Sequence, residues 1–236
     1  MMDTPYYDDL YPFQKAEDEC RWIHRWLGLN DREKRVLDLG CGSGRHAVFW
    51  AYQYDYEVLG VNMCPRMIEL AKARQISGTD FVLGDATIFR EEKPATRDLV
   101  SALFHVVNFL PGWKSIAKLF ETAAYHCKPG GWFFFDTWGP AANLQPKVLM
   151  ASNKDLELKR VLTPSQYRQD TKISLHYDLF VRHAGDKNWE HSEETILVNP
   201  VCEHLIRLLA GKNGFTVVEV HRGFNKHDWF YKLQKE

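Results

Sequence analysis

One segment, Val36-Leu37-Asp38-Leu39-Gly40-Cys41-Gly42-Ser43-Gly44-Arg45, constrains the fold more than any other part of the chain. An apolar run carrying one acid gives way to three glycines at alternate positions, and a helical pattern follows over His46–Tyr52. That order reads as strand, tight turn, helix. Glycine admits φ > 0 and leaves no Cβ between a ligand and the main chain. Free amides at the start of the helix, backed by the positive end of its dipole, would point into the gap. The turn is therefore suited to hold a ligand against bare backbone. Its spacing is G-x-G-x-G, not the G-x-G-x-x-G of a dinucleotide-binding turn.

The rest of the chain alternates in the same manner. Strands are expected at Arg35–Leu39, Glu57–Val61, Asp80–Leu83, Leu99–Phe104 and Trp132–Asp136. Helices are expected over Pro65–Lys72, Ser115–Cys127 and Val201–Lys212, with an amphipathic helix in residues 4–30 that puts Cys20, Ile23, Trp26 and Leu27 on one face. Phe215–Val220 and Trp229–Leu233 close the chain as an antiparallel edge pair. Residues 141–200 depart from this order. Ile173, Leu175, Tyr177, Leu179 and Val181 alternate with polar neighbours, and the period of two resumes at Trp189 after the turn Ala184–Asn188. That is a β-hairpin, with Leu156–Val161 as a third strand. The expected architecture is α/β: a doubly wound, seven-stranded, Rossmann-like sheet with a small antiparallel β insertion. The domains read as an N-terminal helical cap (1–34), a main domain (35–140 and 201–236) and the insertion (141–200), which would cover the carboxyl ends of the parallel strands.

The chain has 236 residues, enough for one domain with an elaboration. Its 30 Lys and Arg balance 31 Asp and Glu, which speaks against a nucleic-acid surface or an anionic membrane as partner. No run approaches the roughly 18–20 apolar residues that span a bilayer. The polar start, Met1–Asp9, has no signal-peptide character. Five scattered cysteines without a C-x-x-C pair fit a reducing cytoplasm and neither a zinc site nor a disulfide framework, so no metal is expected.

Several motifs carry a family resemblance. The glycine turn after Asp38 resembles motif I of the class I S-adenosylmethionine-dependent methyltransferases. Gly84-Asp85-Ala86 follows strand three, Phe104–Leu110 resembles the F-x-x-x-N-Y-L segment of small-molecule methyltransferases, and Lys128-Pro129-Gly130-Gly131 precedes strand five as in the family. Tyr7–Tyr11 resembles the Y-D-x-x-Y opening of glycine N-methyltransferase and the dTDP-amino-sugar N,N-dimethyltransferases. Trp138 and Pro140 resemble the W-x-x-P that follows strand five in the amino-sugar enzymes.

The resemblance implies S-adenosylmethionine as cofactor. It would be held by Asp38, Gly40, Cys41, Gly42, Gly44, Asn62, Met63, Asp85, Ala86, Leu103 and Phe104, with Tyr11 near the transferred methyl. Asn62 stands where the family usually has a ribose-gripping acid; an amide can still accept one bond and donate another. His105, Tyr11, His176 and His191 are the candidate catalytic groups. Asn108, Trp138 and Arg222 are candidates for the acceptor, Arg222 through a phosphate.

The implied reaction is in-line attack on an activated methyl, in which the protein aligns the reactants and excludes water. A neutral amine needs only to be presented, whereas a hydroxyl wants a base. An enclosed small acceptor, a sugar or nucleotide-sugar amine or hydroxyl, leads. A macromolecular acceptor (RNA or protein) and a non-catalytic cofactor-binding protein are the alternatives. A homodimer through the insertion is also expected as possible.

Overall fold

The computed structural model describes residues 4–11, 13–29, 34–139, 144–166, 172–223 and 228–236. The chain opens with a single turn, α1 (Tyr7–Leu10), and the amphipathic α2 (Phe13–Leu27). β1 (Arg35–Leu39), α3 (Arg45–Tyr54), β2 (Glu57–Asn62), α4 (Pro65–Ala73) and β3 (Thr79–Leu83) then alternate, with Pro65 at the first turn of α4 where a missing N–H costs nothing. β4 (Arg97–Ala102) leads through the short α5 (Val106–Phe109) to α6 (Trp113–His126) and β5 (Cys127–Trp138). Four strands follow, β6 (Lys147–Ser152), β7 (Leu156–Gln166), β8 (Ile173–His183) and β9 (Glu190–Val198), then α7 (Glu203–Lys212), β10 (Phe215–Arg222) and β11 (Asp228–Lys235).

The seven-stranded sheet has the order β10-β11-β5-β4-β1-β2-β3. β11 runs antiparallel to both of its neighbours, and the pairs from β5 to β3 are parallel. Strands buried on both faces read as continuous apolar runs, as β1 and β5 do. Successive rings of β5 take opposite sides. Phe133 and Phe135 join Phe120, Leu119 and Ile206 of α6 and α7, whereas Phe134 joins Ile23, Trp50 and Phe81 on the side of α2, α3 and α4. Helices thus cover both faces, as expected.

The second sheet is antiparallel, order β6-β7-β8-β9. Its inner face carries Leu158, Leu175, Tyr177 and Leu179 and packs on Leu10, Tyr11, Phe109 and Trp138. The expected hairpin is β8–β9. The structure adds β6 to the expected three strands, and it runs β5 back through Lys128–Gly131, a stretch expected to precede that strand.

Candidate functional site

The turn after β1 is shaped by what its glycines must avoid. A Cβ on Gly40 (φ +78) would lie 2.5 Å from a methyl of Val106, and one on Gly44 (φ +77) 2.7 Å from the ring of Phe81. Those two glycines serve packing. Gly42 (φ +57) differs, because a Cβ there would meet nothing within 4 Å and would project into open space. Asp38 sits in the same cleft, 1 % exposed. Its Oδ1 accepts from the Ser101 hydroxyl at 2.8 Å, while Oδ2 is buried without a partner among the described residues. Burial pushes this carboxyl above its ordinary range, against the pull of His46 and the Ser101 bond. Cys41 and Leu103 line the cleft as buried apolar wall.

The N-terminal segment lies across this cleft. Asp8 accepts from the Ser43 hydroxyl and from Arg74, both at 2.5 Å. Arg45, the first residue of α3, donates to the Tyr11 carbonyl at 2.8 Å. Its guanidinium stands 5.2, 5.4 and 5.8 Å from the ring centres of Tyr7, Tyr11 and Phe104. Tyr11 is therefore brought to the glycine turn, as the sequence suggested. Burial pushes the Tyr7 hydroxyl well up, with Arg45 opposing.

At the end of β4, Phe104 (φ +65) and His105 (φ +64) are consecutive left-handed residues with side chains, a conformation costing on the order of 1–3 kcal/mol apiece. It persists because the His105 amide donates to Asp136 Oδ1 at 3.0 Å, and the ring is held on both sides. Nε2 lies 3.0 Å from Asp228 Oδ1, Nδ1 lies 3.4 Å from Asp136 Oδ2, and Trp138 stacks at 4.2 Å. Asp228 arrives there because β11 pairs with β5 in the register Asp228↔Trp138. Burial pushes the Asp136 carboxyl up, opposed by His105. With each ring nitrogen facing a carboxylate, His105 is built into the wall; it does not offer a free base to the cleft.

Asn108 also departs from its expected role. It is fully buried, and its amide donates to the carbonyls of Trp138 and Asn199 while its oxygen accepts from the Trp138 amide and the Thr137 hydroxyl. With four bonds it pins α5 to β5 and to the end of β9 and has nothing left for an acceptor. Trp138 turns its ring to His105 and Phe109.

A second hollow, about 30 Å³, adjoins the first and shares Tyr7 and Phe104 with it. Tyr11, Phe109, Tyr177 and Arg160 complete its wall. The sequence carries a signal for Arg160, which falls in step with Leu156 and Leu158 on the apolar face of β7. Tyr7, Asp8, Ser43 and Arg45 lie within the two quoted motifs and are brought together only by the fold, and Asp228 owes its place to a distant strand.

The remaining candidates lie further out. Asn62 ends β2 buried, and its side-chain oxygen caps the Cys64 amide at 2.9 Å, the role of a turn residue. Met63 is 74 % exposed beside it. Asp85 turns one oxygen back to the amide and hydroxyl of Thr87, both at 2.8 Å, and Ala86 packs partly buried on the core. His176 and His191 lie on the face of the insertion turned away from Tyr177. There they pair with Thr195 and Asp178, each at 2.9 Å, and His191 stacks on Phe180. The structure does not bring them to the cleft. Arg222 ends β10 with its guanidinium 4.9 Å from the ring centre of the half-buried Trp229. Pro140 lies outside the described residues.

Comparison with known proteins agrees with this geometry. A family model described as "Methyltransferase domain" matches residues 14–220. The chain is 36% identical over 110 residues to the ubiquinone biosynthesis O-methyltransferase of Aliivibrio fischeri; that segment is 44% of this chain and spans only 44% of the relative. Among solved structures, DesVI of Streptomyces venezuelae superposes with TM-score 0.80 at 16% identity, covering 95% of this chain and 92% of that one. The amino pentose methyltransferase CalS10 of Micromonospora echinaspora, solved with its methyl donor bound, gives 0.77 at 20% identity over the same shares. At such identities the structures speak for the fold. Among the described residues no helix is long and apolar enough to cross a membrane. The family match takes in both the glycine turn and the second sheet, and the chain belongs to the methyltransferase-domain family, whose cofactor is S-adenosylmethionine.

Proposed function

We propose that the chain transfers the methyl group of S-adenosylmethionine to an amine or hydroxyl of a small molecule, with a sugar or nucleotide sugar as the leading class. The observation that carries this is the pairing, in one cleft, of a buried orphan carboxylate oxygen on Asp38 with open space where Gly42 would bear a side chain. Both features suit the donor. A buried acceptor atom without a partner is costly unless a ligand's N–H or O–H meets it. A bare turn at a helix start gives amides to a ligand's polar groups. Asp38 would hold the ammonium of the donor's amino-acid end, and Arg45, a buried guanidinium in the same cleft, its carboxylate.

When bound, the cofactor supplies an electrophilic methyl on a cationic sulfur. This chain's residues then orient and exclude water. Tyr7 and Phe104, which line both hollows, form an aromatic partition with Tyr11 on the side of the second, and π faces favour a neighbouring cation. The left-handed Phe104-His105 step, braced by Asp136 and Asp228, fixes that partition rigidly. No free histidine faces the partition among the described residues, which favours an amine presented neutral over a hydroxyl that needs a base. Enclosure by the second sheet and the modest size of the second hollow favour a small acceptor over RNA or protein. The name of one structural relative, an amino pentose methyltransferase, points the same way. Asp85 and the exposed Met63 would border the adenine end, and Asn62 keeps its amide nitrogen for the ribose.

The test is an acceptor screen that follows S-adenosylhomocysteine release over amino sugars, nucleotide sugars, small amines and phenols. Turnover with a small amine or hydroxyl is expected. Release only with RNA or protein present would overturn the reading.

A further inference from the structure

Arg160 is 5 % exposed on the inner face of β7, and no ion pair links it to a carboxylate among the described residues. Its neighbours are rings. The guanidinium stands 4.7 Å from the centre of Tyr11 and 5.0 Å from that of Tyr177, and Nη1 donates to the Tyr11 hydroxyl. Its Nε–H is buried with no acceptor among the described residues. Glu194, the acid nearest along the sheet register, pairs across from Tyr177 but lines a different hollow, beside Thr4, Tyr6 and Leu179, and its own Oε2 is also unpartnered. It makes no ion pair with Arg160, although both stand beside Tyr177.

A buried cation without a counter-ion is unfavourable by several kcal/mol in general, and an orphan N–H adds to that. Tyrosine faces offset part of this and leave the fork of donors unused. The guanidinium borders the 30 Å³ hollow that shares Tyr7 and Phe104 with the donor cleft. We propose that the methyl acceptor carries an oxyanion, carboxylate or phosphate, and that Arg160 binds it, with Tyr11 and Tyr177 walling the site. The proposal rests on the methyl-transfer reading and narrows it. The acceptor is an anionic small molecule, and Arg160 selects it against neutral analogues, since a fork of N–H donors matches a carboxylate or phosphate edge.

The test uses the whole chain saturated with S-adenosylhomocysteine and two probes, acetate and inorganic phosphate, titrated against tyrosine and tryptophan fluorescence at constant ionic strength. At least one probe is expected to bind saturably. Arg160→Gln should weaken it at least tenfold, and Arg160→Lys, which keeps charge and loses the fork, by an intermediate factor, while both keep wild-type S-adenosylhomocysteine affinity and Arg160→Gln, freed of a buried charge, melts no lower than the wild type. Preference for acetate assigns a carboxylate, preference for phosphate a phosphoryl group. Binding of neither probe, or equal binding by wild type and Arg160→Gln, would overturn the proposal. Should Arg160→Gln fail to fold, equal binding by wild type and Arg160→Lys overturns it instead. Failure of the wild type to bind S-adenosylhomocysteine would fault the methyl-transfer reading, a separate result read in the same experiment.

Discussion

Two sets of buried polar side chains meet at the carboxyl edge of the parallel strands, and they are wired in opposite ways. Around Asn108 the bonds close on protein: its amide and oxygen reach Thr137, Trp138 and Asn199, and next to it His105 is clasped by Asp136 and Asp228. Around the two hollows the bonds stay open: Asp38 Oδ2 and Arg160 Nε are each buried without a partner among the described residues. Closed networks fix a shape, and open ones await a ligand. Residue type alone does not tell them apart. Asn108 and His105 looked like site residues in the sequence and turn out to belong to the frame, while Arg160 looked like a strand residue and borders a cavity.

The largest expected effect falls on the closed set. Asn108→Leu takes away the partners of the Trp138 amide and the Asn199 carbonyl, while the Trp138 carbonyl keeps its bonds from Val201 and Thr137, and the change should cost about 3 kcal/mol of stability. For a chain of this length that lowers the melting temperature by roughly 6–12 °C. Differential scanning calorimetry reads it, and a loss below 1 kcal/mol would break the contrast.

Asp38→Asn should do the reverse. It removes an uncompensated buried charge and can keep the Ser101 contact, so the ligand-free protein should hold its stability or gain about 1 kcal/mol. S-Adenosylhomocysteine affinity should nevertheless fall at least tenfold, about 1.4 kcal/mol. Loss of stability without loss of affinity would move Asp38 into the frame.

The same variant sharpens the contrast through pH. The Asp38 carboxyl in the folded chain titrates above its ordinary value of 3.8 because burial disfavours the anion. A raised acid lends its full stability below the unfolded value and loses it as pH rises through the folded value. Wild type should therefore lose stability relative to Asp38→Asn as pH climbs from about 4 towards neutrality; denaturant melts along that range would show a parallel pair of curves if the assignment were wrong. The smallest effect belongs to the outer face of the insertion. His176→Ala and His191→Ala should each change stability by less than about 0.5 kcal/mol and leave cofactor affinity within twofold, measured by melting and calorimetry.

What the sequence made legible was what local spacing encodes. The strand–glycine–helix turn, the α/β alternation and the β8–β9 hairpin all follow from periods of two and about 3.6, and the structure has them. β6 escaped because Lys147–Ser152 shows a largely exposed face and no clear alternation. The left-handed pair Phe104-His105 escaped because neither residue advertises φ > 0 as glycine does. The closure of His105 depends on Asp228, more than a hundred residues away and delivered by sheet register. Tyr11, read from the opening motif, lines the second hollow with its ring 5.4 Å from the guanidinium of Arg45, which borders the first.

The most direct measurement is a calorimetric titration of the chain with S-adenosylhomocysteine, run beside Gly42→Val. A Val side chain would enter the open space against the turn, so the account expects one saturable site in the wild type and at least a hundredfold weaker binding in the variant, with the fold retained by circular dichroism. No binding by the wild type, or equal affinity in the two proteins, would contradict it.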